Sequence, residues 1–131
     1  MRFFKYILIL TIQLLSLISV AQNTTDLPKG LIPSFEQGNS ISLAMFFSER
    51  IELNIQDKEA IYSSSQAKQI MAKFFAKYQP TSFKKKHIGG KPNSLYVIGT
   101  LLTNNGNFRV TFLLKGSGDK SIIHQLRIEK E

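Results

Sequence analysis

Four polar side chains lie on predicted strands, where they could take part in chemistry: His87, His124, Tyr96 and Arg109. Each histidine is in register with apolar neighbours, so both could face the interior as an acid, a base or a ligand contact. The alternative is a core histidine bonded to a backbone carbonyl, or a residue at the rim. Arg109 could orient an anionic ligand or pair with Glu129 on the next strand. These four side chains are the candidate ligand-binding residues.

The sequence lacks the usual signatures of catalysis and metal binding. It contains no cysteine, which rules out thiol nucleophiles and cysteine-ligated zinc. Two histidines without nearby acidic partners do not supply the ligand set that zinc requires. Neither a Gly-x-Ser-x-Gly elbow nor a phosphate-cradling glycine loop occurs. We therefore expect no catalytic residue, no metal and no cofactor.

Positive charge forms a second candidate site. The chain has a formal net charge of +8, and Lys84, Lys86, Arg109 and Arg127 could share the face of the sheet that no helix covers. Such a face could bind an anionic polymer or surface. Alternatively, the lysines mark a solvated strand edge, where charge discourages pairing between sheets. We expect no nucleic-acid partner.

Residues 1–21 have the layout of a secretory signal peptide. Arg2 and Lys5 precede a mostly apolar run over residues 7–20, and small residues stand at the two positions that signal peptidase reads. The predicted cut precedes Gln22. The alternative is an uncleaved anchor, but a bilayer-spanning helix needs about 20 apolar residues, which is longer than this run.

The predicted signal peptide indicates the location of the protein and the boundaries of its segments. We expect a periplasmic or secreted protein that has no membrane contact after cleavage. Because no cysteine follows the apolar run, it is not expected to be a lipoprotein. Residues 22–27 read as a polar leader and residues 28–131 as a single domain.

The helices that would position the candidate residues lie before and between the predicted strands. Residues 28–38 predict a short helix that begins with Pro28, and residues 41–47 a second one capped by Asn39 or Ser40. A third helix starts at a capping box formed by Ser63 and Gln66 and ends before Pro80. Its aromatic stripe could line a ligand cavity, but such spacing usually indicates core.

Alternating apolar residues predict one strand early in the domain and four strands after the third helix. They cover residues 51–55, 83–88, 95–103, 108–115 and 122–129, and residues 57–59 read as a charged turn. Short loops join the last four strands, which indicates an antiparallel meander. The predicted class is α+β, with N-terminal helices packed on a curved antiparallel sheet.

The strand over residues 95–103 is apolar on both faces. Such a strand is expected to be central and covered twice. One cover would be the helices, and the other could be a partner subunit. The pattern therefore predicts a homodimer formed through the sheet.

A set of short pieces resembles an uncharacterised family of small secreted proteins from bacteria of the bacteroidete group. They are Phe74-Phe75, Pro80, Phe83, His87-Ile88-Gly89, Tyr96-Val97-Ile98-Gly99, Gly106-Asn107-Phe108-Arg109-Val110 and Lys115. The resemblance covers residues 28–131. It implies the nuclear-transport-factor-2-like, or cystatin-like, α+β cone, and it implies no activity.

The wider superfamily includes isomerase-like enzymes, dehydratases and binding or dimerisation modules, so the fold alone does not select a function. The enzymes generally place an aspartate, or an Asp–His pair, inside the cone. Here Asp26, Asp57 and Asp119 fall in the leader or in turns. This departure from the enzymes' pattern argues against isomerase-like chemistry.

Three functions remain as hypotheses. We favour a non-catalytic binding or assembly module that holds a small apolar ligand in the cone or dimerises through its sheet. The alternative is a basic sheet face for an anionic polymer or surface. An enzyme that depends on His87 or His124 is the third hypothesis.

Overall fold

A computed structural model describes residues 27–131, which form an α+β domain, as predicted. Two short helices come first, α1 (Leu31–Glu36) and α2 (Ser40–Ala44), and α3 (Ser64–Lys77) lies between the strands. The strands are β1 (Phe47–Ile55), β2 (Lys58–Ser63), β3 (Pro80–Lys91), β4 (Ser94–Thr103), β5 (Gly106–Lys115) and β6 (Ile122–Lys130). A single 3₁₀ turn, Gly118–Lys120, precedes β6. The predicted signal peptide and residues 22–26 of the leader lie outside the described residues.

The helix boundaries follow local capping chemistry. The side chain of Asn39 accepts a hydrogen bond from the Ser42 amide at 3.1 Å and so caps α2. At α3, the Ser63 hydroxyl accepts from the Gln66 amide at 3.2 Å, and the Gln66 side chain accepts from the Ser63 amide at 3.1 Å. This is the predicted capping box. Helix α3 ends at Lys77, before Pro80, also as predicted.

The sheet is mixed, which corrects the expectation of a wholly antiparallel one. Its order is β2-β1-β6-β5-β4-β3. Strands β3 to β6 form the predicted antiparallel meander, but β1 runs parallel to β6. Short loops reveal which consecutive strands pair, whereas β1 and β6 are distant in sequence and meet only in the folded chain.

Strand β2 was not predicted. Residues 57–59 were expected to form a turn, but the turn centres on Gln56 and Asp57, which have φ angles of 50° and 70°. Lys58–Ser63 then pairs antiparallel with β1 at the sheet edge. Five of the six residues of β2 are exposed, so no apolar alternation marks the strand in the sequence.

Two register shifts change which side chains face the core. In β3 the shift lies between Lys85 and His87. His87 therefore pairs with Ile98 and lies on the opposite face of the sheet from Phe83. In β6 the extra residue is His124, because Leu113 pairs with Gln125 while Leu114 pairs with Ile123. One inserted residue reverses side-chain parity. The expected inward registers of both histidines are therefore wrong.

The same β6 bulge changes the predicted apolar face of that strand. Ile123, Leu126 and Ile128 are buried, whereas Ile122 is 40% exposed. Regular alternation through residues 122–128 predicts that Ile122 shares the core face with Leu126, and the bulge overturns that prediction. Strand β4 is an inner strand paired with β3 and β5, one position from the sheet edge.

Aromatic rings fill the space between the helices and the sheet. Phe35 of α1 stacks on Phe83 and Phe112, with ring centroids 5.3 and 5.5 Å apart. Tyr78, just beyond α3, and Phe74 of α3 both contact Phe108 of β5, at 4.7 and 5.1 Å. The aromatic stripe of α3 is therefore core, as its spacing indicated.

Candidate functional site: the open face of the sheet

One face of the sheet packs on the helices, and we call the other the open face. On β4, Leu95, Val97 and Leu101 are buried against the core, and the side chains of alternate parity, at residues 96, 98, 100 and 102, point the other way. Among those, Tyr96 is 48% exposed, and Ile98 and Leu102 are half-buried. Within residues 27–131 no helix covers these side chains. The sheet therefore presents apolar side chains on a face that also carries charged groups.

A groove of about 390 Å³ crosses the open face from β2 to β4. Tyr96, Ile98 and Leu113 form its apolar side, where Tyr96 and Leu113 are cross-strand partners. Thr111 lies opposite Ile98 and leads towards the polar side on β6 and β1. We call this feature the open-face groove.

Charged residues of both signs line the polar side of the open-face groove. Arg127 and Glu129 form an ion pair with an N–O distance of 3.4 Å, and both side chains are about half exposed, at 54% and 42%. Arg109 lies opposite Glu129 in register, as expected, but the ion pair of Glu129 is with Arg127 on its own strand. An exposed pair of this kind contributes about 0–1 kcal/mol to stability.

Two carboxylates lie together at the β1–β2 end of the groove. The side-chain hydrogen bond and the negative charge of Glu52 raise the pKa of Glu59 above its usual value of 4.5, and the charge of Arg127 opposes this effect. Gln125 donates a hydrogen bond to Glu52 at 3.1 Å. The buried Asn54 Oδ1, nearby, has no donor among the described residues. This end of the groove is acidic.

The structure brings some of the predicted site residues together and separates others. Tyr96, Arg109 and Arg127 all line the open-face groove. His87 is exposed on the same face beside Ile98, whereas His124 occupies the β6 bulge. With strands about 4.8 Å apart, the three spacings from β3 to β6 separate the two histidines by roughly 14 Å across the sheet, in addition to their offset along the strands.

The predicted anion-binding lysines lie on β3, an edge strand of the sheet. Lys84 shares the open face because it pairs with Thr100, and Lys86 occupies the β3 bulge. Both side chains are exposed. This position suits lysines that discourage pairing with another sheet.

The acidic members of the groove were not predicted as site residues. Glu52 stands on the polar side of the alternation in residues 51–55, which was a usable signal. Glu59 was assigned to a turn because β2 was not recognised. Gln125 and Arg127 join Glu52 only through the parallel pairing of β1 with β6.

The described residues contain no cluster suited to a metal ion. No group of three or more histidine, aspartate or glutamate side chains comes close enough together between residues 27 and 131. In the same part of the chain, none of the helices combines the length and apolar character needed to cross a bilayer.

Comparison with known proteins identifies the fold. An NTF2-like protein of unknown function from Cytophaga hutchinsonii is 14% identical, with a TM-score of 0.54 over 77% of this chain and 83% of that chain. At this identity the match shows the fold alone. The domain therefore has the NTF2-like α+β fold that the sequence resemblance implied.

More similar structures identify the family. A DUF4783 family protein from Bacteroides ovatus is 36% identical, with a TM-score of 0.75 over 82% of this chain and 97% of that chain. One from Bacteroides uniformis is 38% identical, with a TM-score of 0.74 over 81% and 98%. The model of DUF4783, a domain of unknown function, matches residues 29–129. The chain belongs to this family. The search of curated proteins found no match.

Proposed function

We propose that the protein is a non-catalytic binding and assembly module whose open face pairs with a second copy of the chain. The observation that carries this proposal is the apolar strip of β4 on the open face, formed by the exposed Tyr96 and the half-buried Ile98 and Leu102. Soluble monomers rarely expose contiguous apolar patches larger than about a few hundred Å², and larger ones mark interaction surfaces. A second copy would remove this strip from water.

Charge on the open face supports a pairing of identical surfaces. Arg109 and Arg127 lie in the groove with Glu52, Glu59 and Glu129. In a two-fold dimer, each surface meets a copy of itself, so a patch with both signs of charge can be self-complementary. The apolar strip would lie beside these charges within the same interface.

The other functions have less support. An apolar ligand inside the cone competes for space with the stacked rings of Phe35, Phe83 and Phe112. An anionic polymer on the open face would meet Lys84, Arg109 and Arg127, but also the groove's carboxylates. An enzyme that depends on His87 or His124 has less support, because His87 is exposed on the edge strand β3 and His124 occupies the β6 bulge.

We also propose that the protein is exported by residues 1–21 and works in the periplasm or outside the cell. The support is the charged start, the apolar run and the small residues before Gln22. The absence of cysteine from the sequence supports a protein without a lipid anchor.

Oligomeric state tests the assembly proposal. Light scattering at high micromolar concentration should give a dimer for the wild type and a monomer for Ile98→Lys, since the lysine would place an unpaired charge in the interface. Ile41→Lys is the matched control, because Ile41 is 69% exposed on α2 and lies away from the open face. That variant should remain a dimer.

Three outcomes would overturn the assembly proposal. They are a wild-type chain that stays monomeric at high micromolar concentration, an Ile98→Lys variant that stays dimeric, and equal dissociation by both lysine variants. A denaturant melt of each variant shows whether its helical core remains folded. If a monomeric wild type bound heparin, the basic-face alternative would replace the dimer.

A further inference from the structure

A second groove lies on the helix side of the sheet, between α3 and the β1–β2 hairpin. It has a volume of about 450 Å³, within the range of roughly 300–1,000 Å³ typical of ligand pockets. Its floor contains the buried Leu53, Phe74 and Tyr78 and the half-buried Ile55 and Ile70. We call it the α3 groove.

The α3 groove is elongated. A neighbouring depression of about 210 Å³ shares Tyr62, Ile70 and Lys73 with it and extends to Gln66 and Gln69 of α3. The two together follow the exposed side of the helix. Such a shape fits an extended chain better than a compact ring system.

Lysines form the rim of the α3 groove. Lys58 of β2 and Lys73 and Lys77 of α3 line it, and all three are exposed. Within residues 27–131 the ion pair is Arg127–Glu129, so no carboxylate in that part of the chain lies within 4.0 Å of these ammonium groups. The rim therefore carries three ammonium groups that form no ion pair with the carboxylates of residues 27–131.

The surroundings of Tyr78, at one end of the groove, lower the pKa of its hydroxyl group. A hydrogen bond with the Gln56 side chain lowers the pKa of Tyr78, burial raises it, and Lys77 and Lys130 lower it further. The Lys77 ammonium also lies 5.3 Å from the centre of the Tyr78 ring. The positive charge of Lys77 therefore lies beside the apolar floor at the Tyr78 end of the groove.

We propose that the α3 groove binds a single-chain amphiphile with an anionic headgroup, such as a long-chain carboxylate. The tail lies along the half-buried Ile55 and Ile70, above the buried Leu53, where contact removes apolar surface from water. The headgroup lies among Lys58, Lys73 and Lys77, where charge-assisted hydrogen bonds hold a carboxylate. The open face lies on the opposite side of the sheet, so this site does not depend on the proposed dimer.

Calorimetric titration of the full chain with dodecanoate, kept below its micelle-forming concentration, tests the proposal. We expect saturable binding at one site per chain. Acetate lacks the tail and should show no saturation. Dodecyltrimethylammonium has the tail but a positive headgroup, and should bind at least tenfold more weakly because the rim repels it.

Two double variants distinguish binding in the α3 groove from a general attraction of dodecanoate to the positively charged protein. Lys73→Gln with Lys77→Gln should weaken dodecanoate binding at least tenfold. The matched control is Lys84→Gln with Lys85→Gln, which removes the same charge from exposed positions on β3 and should change the affinity less than twofold. A denaturant melt confirms that both double variants remain folded.

Several results would overturn the proposal: no saturable dodecanoate binding, equal weakening by both double variants, or equal affinity for the cationic amphiphile. A further outcome is that the chain co-sediments with phosphatidylglycerol vesicles, loses this binding in the Lys73→Gln, Lys77→Gln double variant, and does not bind free dodecanoate. That combination of results would make the groove a membrane contact. Ile98→Lys should keep the wild-type affinity for dodecanoate, so failure of the dimer and failure of this site are distinguishable.

Discussion

Gly99 lies on the buried face of β4, where the ring of Phe83 on β3 occupies the space that a side chain would need. A Cβ atom at residue 99 would overlap two atoms of that ring and lie 2.9 Å from the Lys84 carbonyl oxygen. The ring is confined because Phe35 of α1 stacks on it at 5.3 Å. At this position the sequence needs a glycine for close packing.

The first prediction concerns this contact. Gly99→Ala should lower the free energy of unfolding by about 1–3 kcal/mol, the usual cost of forcing extra atoms into a packed core. Chemical denaturation measures the change. Gly89→Ala is the control, because its Cβ would meet only the movable His87 ring, at 3.1 Å. A Gly99 variant as stable as the Gly89 variant would show that Phe83 has room to move.

At the scale of elements, the β1–β2 hairpin carries the two neighbouring carboxylates of the open face. The side-chain hydrogen bond and charge of Glu52 raise the pKa of Glu59 in the folded chain. The folded state therefore holds that proton more tightly than the unfolded state does. The stability contributed by this group is present at low pH and is lost as pH rises through the folded-state pKa.

The second prediction follows from the raised pKa of Glu59. Glu59→Gln should raise the melting temperature at pH 7, because it removes the repulsion from Glu52. The difference from wild type should vanish near about pH 3, where free carboxyl groups are protonated. Thermal melts of both proteins between pH 7 and about pH 3 measure this difference in melting temperature. Glu36→Gln on α1 is the exposed control. A lower melting temperature at pH 7 would show that Arg127 dominates over Glu52.

At the scale of the whole molecule, the sheet separates two surfaces with different chemistry. The open face combines Tyr96 and Ile98 with charges of both signs. The α3 groove, on the helix side, combines an apolar floor with the lysines of its rim. Because the sheet lies between them, a change on one face should leave the other intact, and the Ile98→Lys variant checks this.

The third prediction concerns the exported molecule. Intact-mass measurement of protein from its native compartment should give a chain that begins at Gln22, because the apolar run over residues 7–20 is shorter than the roughly 20 residues of a membrane span. Ala21→Arg, which replaces a small residue at the cleavage site, should block processing. Retention of residues 1–21 on most wild-type molecules would contradict the prediction and favour the uncleaved anchor.

The sequence by itself determined the features that depend on neighbouring residues. The Asn39 cap, the Ser63–Gln66 capping box and the end of α3 before Pro80 were predictable because each is a local contact. The meander from β3 to β6 was predictable because tight turns join consecutive strands. Tyr96, Arg109 and Arg127 could be assigned to the open face by counting alternate residues within regular parts of their strands.

Only the tertiary structure decided the features that depend on distant residues. The exposed strand β2 exists because β1 pairs with it, and β1 runs parallel to β6 through contacts between segments far apart in the chain. The register shifts near Lys86 and at His124 depend on how adjacent strands align, and no local residue pattern marks them. In β3 the inserted Lys86 reverses the alternation between Phe83 and His87, and in β6 His124 is itself the inserted residue, which is why both histidines were assigned to the wrong register.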